Sequence, residues 1–460
     1  MTEQKDYRYL LTAHNDHIFN TTGTRPQFFI RTYGCQMNSR DSEKMSALLM
    51  QLGYTPATHQ DNANFILFNT CCVRESAEDK VFGHISRLKP VKAENPNLMI
   101  GVCGCMTQQS IIAQKIEKKL PYINLVFGTS NRHRLPEFLW RAIQTGAPVI
   151  DITEDDTLPE IKDIAVTTRD FPHKAGVNIM YGCDNFCAYC IVPYVRGRER
   201  SRPMADVLQE IETLAADGVK EVMLLGQNVN AYGKGLRDES ATFPELLRNV
   251  NEINGIERIR FMTSHPKDFS ESLIAAVKDL PKVCKAIHLP LQSGSTRVLA
   301  DMNRMYSQDE YIALAKRLQT AMPKIALSTD IIVGYPGETE ADFEATLKVV
   351  RQVGFSGAFT FMYSKRSGTP AAERTDTIPP KVVSERFDRL TAELYPILKA
   401  YNQAKIGETI DVMVEEPTKG RGADNTLVHF TSEKNLSPGN MIHVRVTEAK
   451  TFYVIGEVVK

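Results

Sequence analysis

From Gln27 onward the chain alternates short apolar runs with amphipathic stretches. The order is QFFIRTY, SEKMSALLMQLGY, ANFILFNT, SAEDKVFGHISRL, LMIGVC, QQSIIAQKIEKKL and INLVFG. The apolar runs have the length and composition of buried strands, and the stretches between them carry the 3.6-residue period of helices. Strands joined by crossover helices lie parallel and are covered on both faces. Their ligand sites fall at the carboxyl ends of the strands. Cys35, Cys71 and Cys105 each stand just after one of these strands, so three residues far apart in sequence are expected to share one rim.

The alternation resumes near residue 175 with GVNIMYG, EVMLLG, RIRFMT, KAIHLP, ALSTDIIV and GAFTFMY, separated by helical stretches such as MADVLQEIETLAADG. Six βα units fit an open or partial barrel. The tail differs, because IGETIDVMVEE, TLVHFTS, NMIHVRVTEA and FYVIGEVV alternate with period two and have no helix between them. Such a pattern predicts a small antiparallel β-barrel. The fold class is α/β. We divide the chain into a polar arm (1–25), an N-terminal parallel-sheet α/β domain (26–150), an acid-rich linker (151–170), a partial (β/α)6 barrel (171–380), a connecting helix (381–405) and the small barrel (406–460).

At 460 residues the chain has length for about three cores of ordinary size. Lys plus Arg and Asp plus Glu both number 55, so a nucleic acid would have to be met by a local basic patch. No signal-peptide core and no apolar run near ~20 residues is present, which points to the cytoplasm and to no membrane partner. The nine cysteines then read as metal ligands or reactive thiols in a reducing compartment. Cys72, Cys103 and Cys284 are read as small buried hydrophobes. Strand alternation points neighbours to opposite faces, so the adjacent Cys71 and Cys72 are not expected to serve one cluster together.

The sharpest local pattern is GCDNFCAYC, which sets Cys183, Cys187 and Cys190 as C-x3-C-x2-C after the first strand of the second alternation. Three thiolates hold three irons of a 4Fe-4S cube and leave one open. An open position lets a metal bind substrate. A structural zinc site is the competing reading, but such sites close with a fourth ligand and favour paired C-x2-C spacing. The spacing, and Tyr189 before the third cysteine, resemble the radical S-adenosylmethionine superfamily. That resemblance implies a cofactor bound through the open iron and cleaved to a 5'-deoxyadenosyl radical.

TYGCQMNSRDSE, NTCCVRE and GCMTQQ resemble the N-terminal cysteine motifs of the methylthiotransferase family, as do LLGQNVNAYG, TSHP, LPLQSGS, MNRMY, STDIIVGYPGE and YSKRSGTPAA farther on. The resemblance runs from about residue 26 to 460. It implies a cluster domain, a radical domain and a C-terminal TRAM domain, the last through KGRGADNTLVHF. It also implies a second 4Fe-4S cluster on Cys35, Cys71 and Cys105, with the two open irons facing a shared cavity. The implied reaction inserts sulfur and transfers methyl at C2 of N(6)-dimethylallyladenosine at position 37 of tRNA. The partners it implies are the tRNA anticodon stem-loop and an electron donor, with no DNA.

Polar residues at expected strand ends are candidates for the cofactor: Gln227, Asn228 and Asn230, then Gln292 and Ser293, then Ser328 and Asp330. Arg304 of MNRMY is expected to pair with the cofactor carboxylate. His265 and His288 are read as strand-end histidines without a role. In VRGRERSR, Arg196, Arg198, Arg200 and Arg202 alternate beside the cysteine loop and are expected to grip RNA phosphates. Two rival functions stand beside this one. The first keeps the family and changes the target, to threonylcarbamoyl-adenosine in tRNA or to a ribosomal-protein aspartate. The second is a noncatalytic iron-sulfur RNA-binding redox sensor, which has no need of the radical triplet.

Overall fold

The computed structural model describes residues 6–72, 75–153, 166, 169, 171–432 and 435–459. Most of the linker expected over 151–170 lies outside the described residues. The chain forms two compact units, one of residues 1–169 with 191–198 and one of 170–190 with 199–460.

In the first unit six parallel strands form one sheet: β1 (Gln27–Thr32), β2 (Thr55–Pro56), β3 (Phe65–Thr70), β4 (Met99–Gly104), β5 (Leu125–Phe127) and β6 (Val149–Asp151). Their order is β2-β1-β3-β4-β5-β6. β3 is buried along its whole length, as a central parallel strand must be. Phe65 and Leu67 face helices Tyr7–Thr22, Gln36–Gln51 and Leu135–Thr145, while Ile66 and Phe68 face the helices on the other side. Two features depart from expectation. Residues 7–22 of the polar arm form a helix, capped by Asp6 and anchored by Leu11 and by Asn15, whose Nδ2 donates to Leu52 O at 2.8 Å. One fully buried leucine is too faint a stripe to read as helical period. The short strands β2 and β6 were likewise below the length that patterning detects.

In the second unit all six expected strands form: β7 (Lys174–Asn178), β10 (Glu221–Leu225), β11 (Arg258–Phe261), β12 (Ala286–His288), β13 (Ala326–Val333) and β14 (Gly357–Met362), with a small ladder of β8 (Met180–Tyr181) and β9 (Arg200–Ser201) beside them. β7, β10 and β11 pair in parallel, as do β12, β13 and β14. A parallel bridge between Ile259 and Val283 joins the two triplets into one arc. The α-helices from Phe243–Glu252 to Glu340–Val353 begin on Ser or Thr caps, two of them with full capping boxes at Ser307 and Thr339. Their apolar faces and the outer strand faces make a single large core. Among the described residues no helix is long and apolar enough to cross a membrane.

Helix Pro380–Gln403 leads to β15 (Thr409–Glu416), β16 (Lys419–Gly422), β17 (Leu427–Thr431), β18 (Met441–Ala449) and β19 (Tyr453–Val459), closed as β15-β16-β17-β19-β18. The expectation of an antiparallel barrel is corrected at one pairing, since β17 and β19 run parallel. The reason is parity. Directions cannot alternate around a closed ring of five, so one neighbouring pair must agree.

This barrel docks on the amino ends of the parallel strands of its own unit. Arg258 donates to Arg421 O at 2.7 Å and Asp411 O at 2.9 Å, and Arg260 to Gly422 O at 2.8 Å and Ala423 O at 3.1 Å. Glu221 pairs with Arg260 at 2.9 Å and with Lys174, which also bonds Glu415. Burial works against the Glu221 carboxylate, but Arg260 and Lys174 hold its pKa below the ordinary range. A depressed carboxyl lends stability above its unfolded pKa and loses it as pH falls through the folded one. Docking should therefore weaken in acid. Arg260→Ala removes the nearest cation from buried Glu221 and both bonds to the carbonyls of Gly422 and Ala423, and should cost the docked barrel about 1–3 kcal/mol. Faster tryptic release of the segment beyond Lys405 checks this, and an unchanged rate contradicts it.

Candidate metal centres

Each unit gathers one cysteine triad. In the first, β1, β3 and β4 are neighbours, and Cys35, Cys71 and Cys105 follow their carboxyl ends. Two glycines make the approach possible. A Cβ at Gly34, whose φ is +120°, would lie 2.6 Å from Cys71 Cβ, and one at Gly104, φ +103°, would lie 2.4 Å from Thr70 O. Asn38 is the hub. It is fully buried, its Nδ2 donates to Tyr33 O at 2.8 Å and Thr70 O at 2.9 Å, and its Oδ1 faces Cys35 Sγ at 3.8 Å and Cys105 Sγ at 4.0 Å.

Arg196 reaches the same place. Its Nε donates to Cys105 Sγ at 3.3 Å, and Nη2 donates to Asn38 Oδ1 at 2.7 Å and Asp41 Oδ2 at 3.2 Å. The Cys105 thiol is lowered below its ordinary pKa by a hydrogen bond with Cys72, against burial, with Arg196 adding to the fall. The same bond and burial push Cys72 up. Cys72 thus packs with Cys105, Ile191 and Val195. It lies two residues past Thr70, the last residue of β3, and is buried, as expected of a small core residue. Cys103 and Cys284 are buried thiols raised by burial.

In the second unit Cys183, Cys187 and Cys190 lie on the loop after β8. Residues 302–306 hold that loop. Met302 O accepts from Ala188 N at 2.9 Å, and Asn303 Nδ2 donates to the carbonyls of Asn185 and Phe186 at 3.1 Å. Phe186 and Asn303 have φ of +44° and +57°, backbone strain of the kind that collects at functional sites. Arg304 is buried and donates to Cys187 Sγ at 3.4 Å, to Tyr306 Oη at 3.1 Å and to Pro290 O at 3.2 Å. Asn185 Nδ2 donates to Cys183 Sγ at 3.4 Å. Burial pushes the Cys183 thiol up to about 11.

Among the described residues no three His, Cys, Asp or Glu side chains converge on a single metal ion. A cube takes each thiolate on a different iron; Arg196 donates to sulfur in the first triad, and Arg304 and Asn185 in the second, which suits an anionic cluster. Polar atoms also wait at adjacent strand ends. Asn178 Oδ1, Asn228 Oδ1 and Ser264 Oγ, beyond β7, β10 and β11, are buried without a hydrogen-bond partner among the described residues. They fit a ligand rich in hydroxyl and amino groups. Sequence patterning pointed to Asn228 alone of these three.

The other candidates are dispersed in role. Tyr189 packs with Met302 and Tyr335, and Gln227 is half-buried on the loop after β10. Asn228 Nδ2 donates to Asp268 at 2.8 Å and to Glu199 at 3.4 Å. Asn230 exchanges two 2.9 Å bonds with the backbone of His265, which makes it a brace for that loop. Gln292, φ +66°, extends the β13 pairing through its backbone. Ser293 Oγ accepts from Ser295 N at 3.2 Å. Ser328 and Asp330 bond His288 at 3.1 and 3.2 Å, which satisfies that histidine at the end of β12.

The four arginines do not form one phosphate-facing row. Arg196 is 5% exposed and Arg202 3%, the latter held by Asn178 O and Glu210, both at 2.7 Å. Arg198 is exposed and Arg200 half-buried. The expected phosphate grip is corrected for Arg196 and Arg202, because a side chain enclosed by protein cannot meet a backbone outside it.

Comparisons with known proteins agree with this architecture. Residues 27–128 match the family described as uncharacterized protein family UPF0004, and residues 177–350 match the radical SAM superfamily. The chain is 49% identical over 440 residues to a tRNA-2-methylthio-N(6)-dimethylallyladenosine synthase of Clostridium beijerinckii, covering 94% of this chain and 96% of that one. It is 47% identical over 450 residues to the synthase of the same name from Alkaliphilus oremlandii, covering 96% and 94%. Among solved structures, the radical S-adenosylmethionine methyltransferase TsrM from Kitasatospora setae has a similar fold, with TM-score 0.54, 14% identity, and coverage of 76% of this chain and 75% of that one. By its sequence over nearly its whole length, the chain belongs to the family of tRNA-2-methylthio-N(6)-dimethylallyladenosine synthases within the radical SAM superfamily.

Proposed function

We propose that the chain is a tRNA methylthiotransferase that places a methylthio group on C2 of N(6)-dimethylallyladenosine at position 37, in the anticodon stem-loop. The observation that carries the reading is the pair of separate three-cysteine sites, each with a buried guanidinium donating to a cysteine sulfur. When bound, a 4Fe-4S cluster on Cys183, Cys187 and Cys190 would supply reductive cleavage of S-adenosylmethionine, and a second on Cys35, Cys71 and Cys105 would supply the sulfur.

The chain's own residues serve the two sites differently. Arg304 and Asn185 stabilise negative charge on the sulfurs of Cys187 and Cys183. Asn303 holds the loop that presents them. Asn178 Oδ1 and Asn228 Oδ1 accept from, and Ser264 Oγ bonds, the ribose hydroxyls or amino group of the cofactor. Asn38 braces the segments that carry Cys35 and Cys71, its Nδ2 donating to Tyr33 O and Thr70 O. Arg198 and Arg200 meet RNA phosphates, and the barrel of residues 406–460 serves as a TRAM-type RNA module. An external one-electron donor completes the system, which operates in the cytoplasm.

Cys187→Ala is expected to reduce 5'-deoxyadenosine formation below detection under anaerobic, reducing conditions. Cys71→Ala and Asn38→Ala should keep that formation within about twofold while methylthiolated product falls at least tenfold, since Asn38→Ala leaves buried carbonyls unpaired at about 1–3 kcal/mol each. Cys72→Ala should retain most product. Nucleoside analysis of tRNA from a strain lacking the gene tests the substrate: the 2-methylthio-dimethylallyladenosine peak should vanish, and its persistence rejects the assignment.

A further inference from the structure

Arg196 is six residues beyond Cys190 in sequence, yet it belongs to the first unit. Its segment is pinned there. Thr129 Oγ1 donates to Val195 O at 2.6 Å, and Ile191 and Val195 pack against Cys72 and Cys105. Burying a guanidinium costs several kcal/mol unless its N–H groups are met. Those of Arg196 are met by Asn38 Oδ1, by Asp41 Oδ2 and by Cys105 Sγ. Asp41, itself 3% exposed, is shared with Arg132 at 3.2 Å. A sulfur is a weak acceptor when protonated and a strong one as a thiolate bound to iron. The geometry therefore suits an anionic sulfur at Cys105 better than a neutral thiol.

We propose that Arg196 is a positioning residue of the auxiliary centre, holding Cys105 by an N–H···S bond and raising the reduction potential of the iron-sulfur cluster held by Cys35, Cys71 and Cys105. The inference rests on the reading of those three cysteines as cluster ligands. Cluster potentials follow net charge and hydrogen bonding to the sulfurs. Reduction adds negative charge beside the guanidinium, and the low dielectric of a buried site magnifies that attraction. Loss of Arg196 must then favour the oxidised form.

The test uses the full chain with Cys183, Cys187 and Cys190 replaced by Ala, so that a single cluster remains. After anaerobic reconstitution, iron and sulfide are counted and the midpoint potential is read by redox titration under EPR. Arg196→Met should shift the reduction equilibrium toward the oxidised form at least tenfold, about 59 mV for one electron. Arg196→Lys, which keeps the charge and loses the Nε donor, should shift it less. An iron-loaded Arg196→Met protein with the parent's potential overturns the proposal. Should Arg196→Met take up no iron, Arg196→Lys decides: a shift of twofold or more supports the role, and an unchanged potential overturns it. Failure of the underlying reading looks different, because the parent itself would then bind no iron, or would keep its iron after Cys71→Ala.

Discussion

Parallel strands all end on the same side of their sheet, and neighbours in the sheet stand about 4.8 Å apart. Three ligands placed one per strand on adjacent strands therefore span on the order of 10 Å, whatever their separation in sequence. Cys35, Cys71 and Cys105 use this directly, since β1, β3 and β4 are consecutive in the sheet. The crossover helices that force the strands parallel are thus also what brings three cysteines distant in sequence to one rim. In the second unit Cys183, Cys187 and Cys190 are gathered within a single loop, which needs bracing from outside because no strand carries the cysteines. Residues 302–306 provide it, through two backbone carbonyls, one backbone acceptor and one sulfur.

Both sites bury a guanidinium against a cysteine sulfur. Such a group is expensive to desolvate, so its retention argues for a strong acceptor in the functional state. Strained backbone accompanies it in the second unit. Phe186, Thr263, Gln292 and Asn303 all have positive φ without being glycine, and all lie on loops of the parallel-strand barrel. Strain of about 1–3 kcal/mol per residue persists where the surroundings over-determine it. Here the surroundings are the cysteine loop and the strand ends that face it.

The sequence made the strands of both parallel systems legible, because buried strands separated by amphipathic helices have few alternatives. Cys183, Cys187 and Cys190 were legible for the same reason that they are local. Other parts were not. VRGRERSR reads as a charge run, and a run shows sign but not burial, so nothing in it separates buried Arg196 and Arg202 from exposed Arg198. Asn38 lies in TYGCQMN, but its role as hub depends on Tyr33, Thr70, Arg196 and two cysteine sulfurs that only the folded chain assembles. His288 gained its place between Ser328 and Asp330 from the register of β12 on β13, which no periodicity specifies.

The central claim is that two independent three-thiolate centres exist in one chain. Anaerobic iron and acid-labile sulfide analysis, with Mössbauer spectra, tests it on the holoprotein and on two variants, each with one triad replaced by Ala. The account predicts about eight irons in the holoprotein and about four in either variant, all in cubes of four. About four irons in the holoprotein, or loss of all iron when one triad is removed, would contradict it.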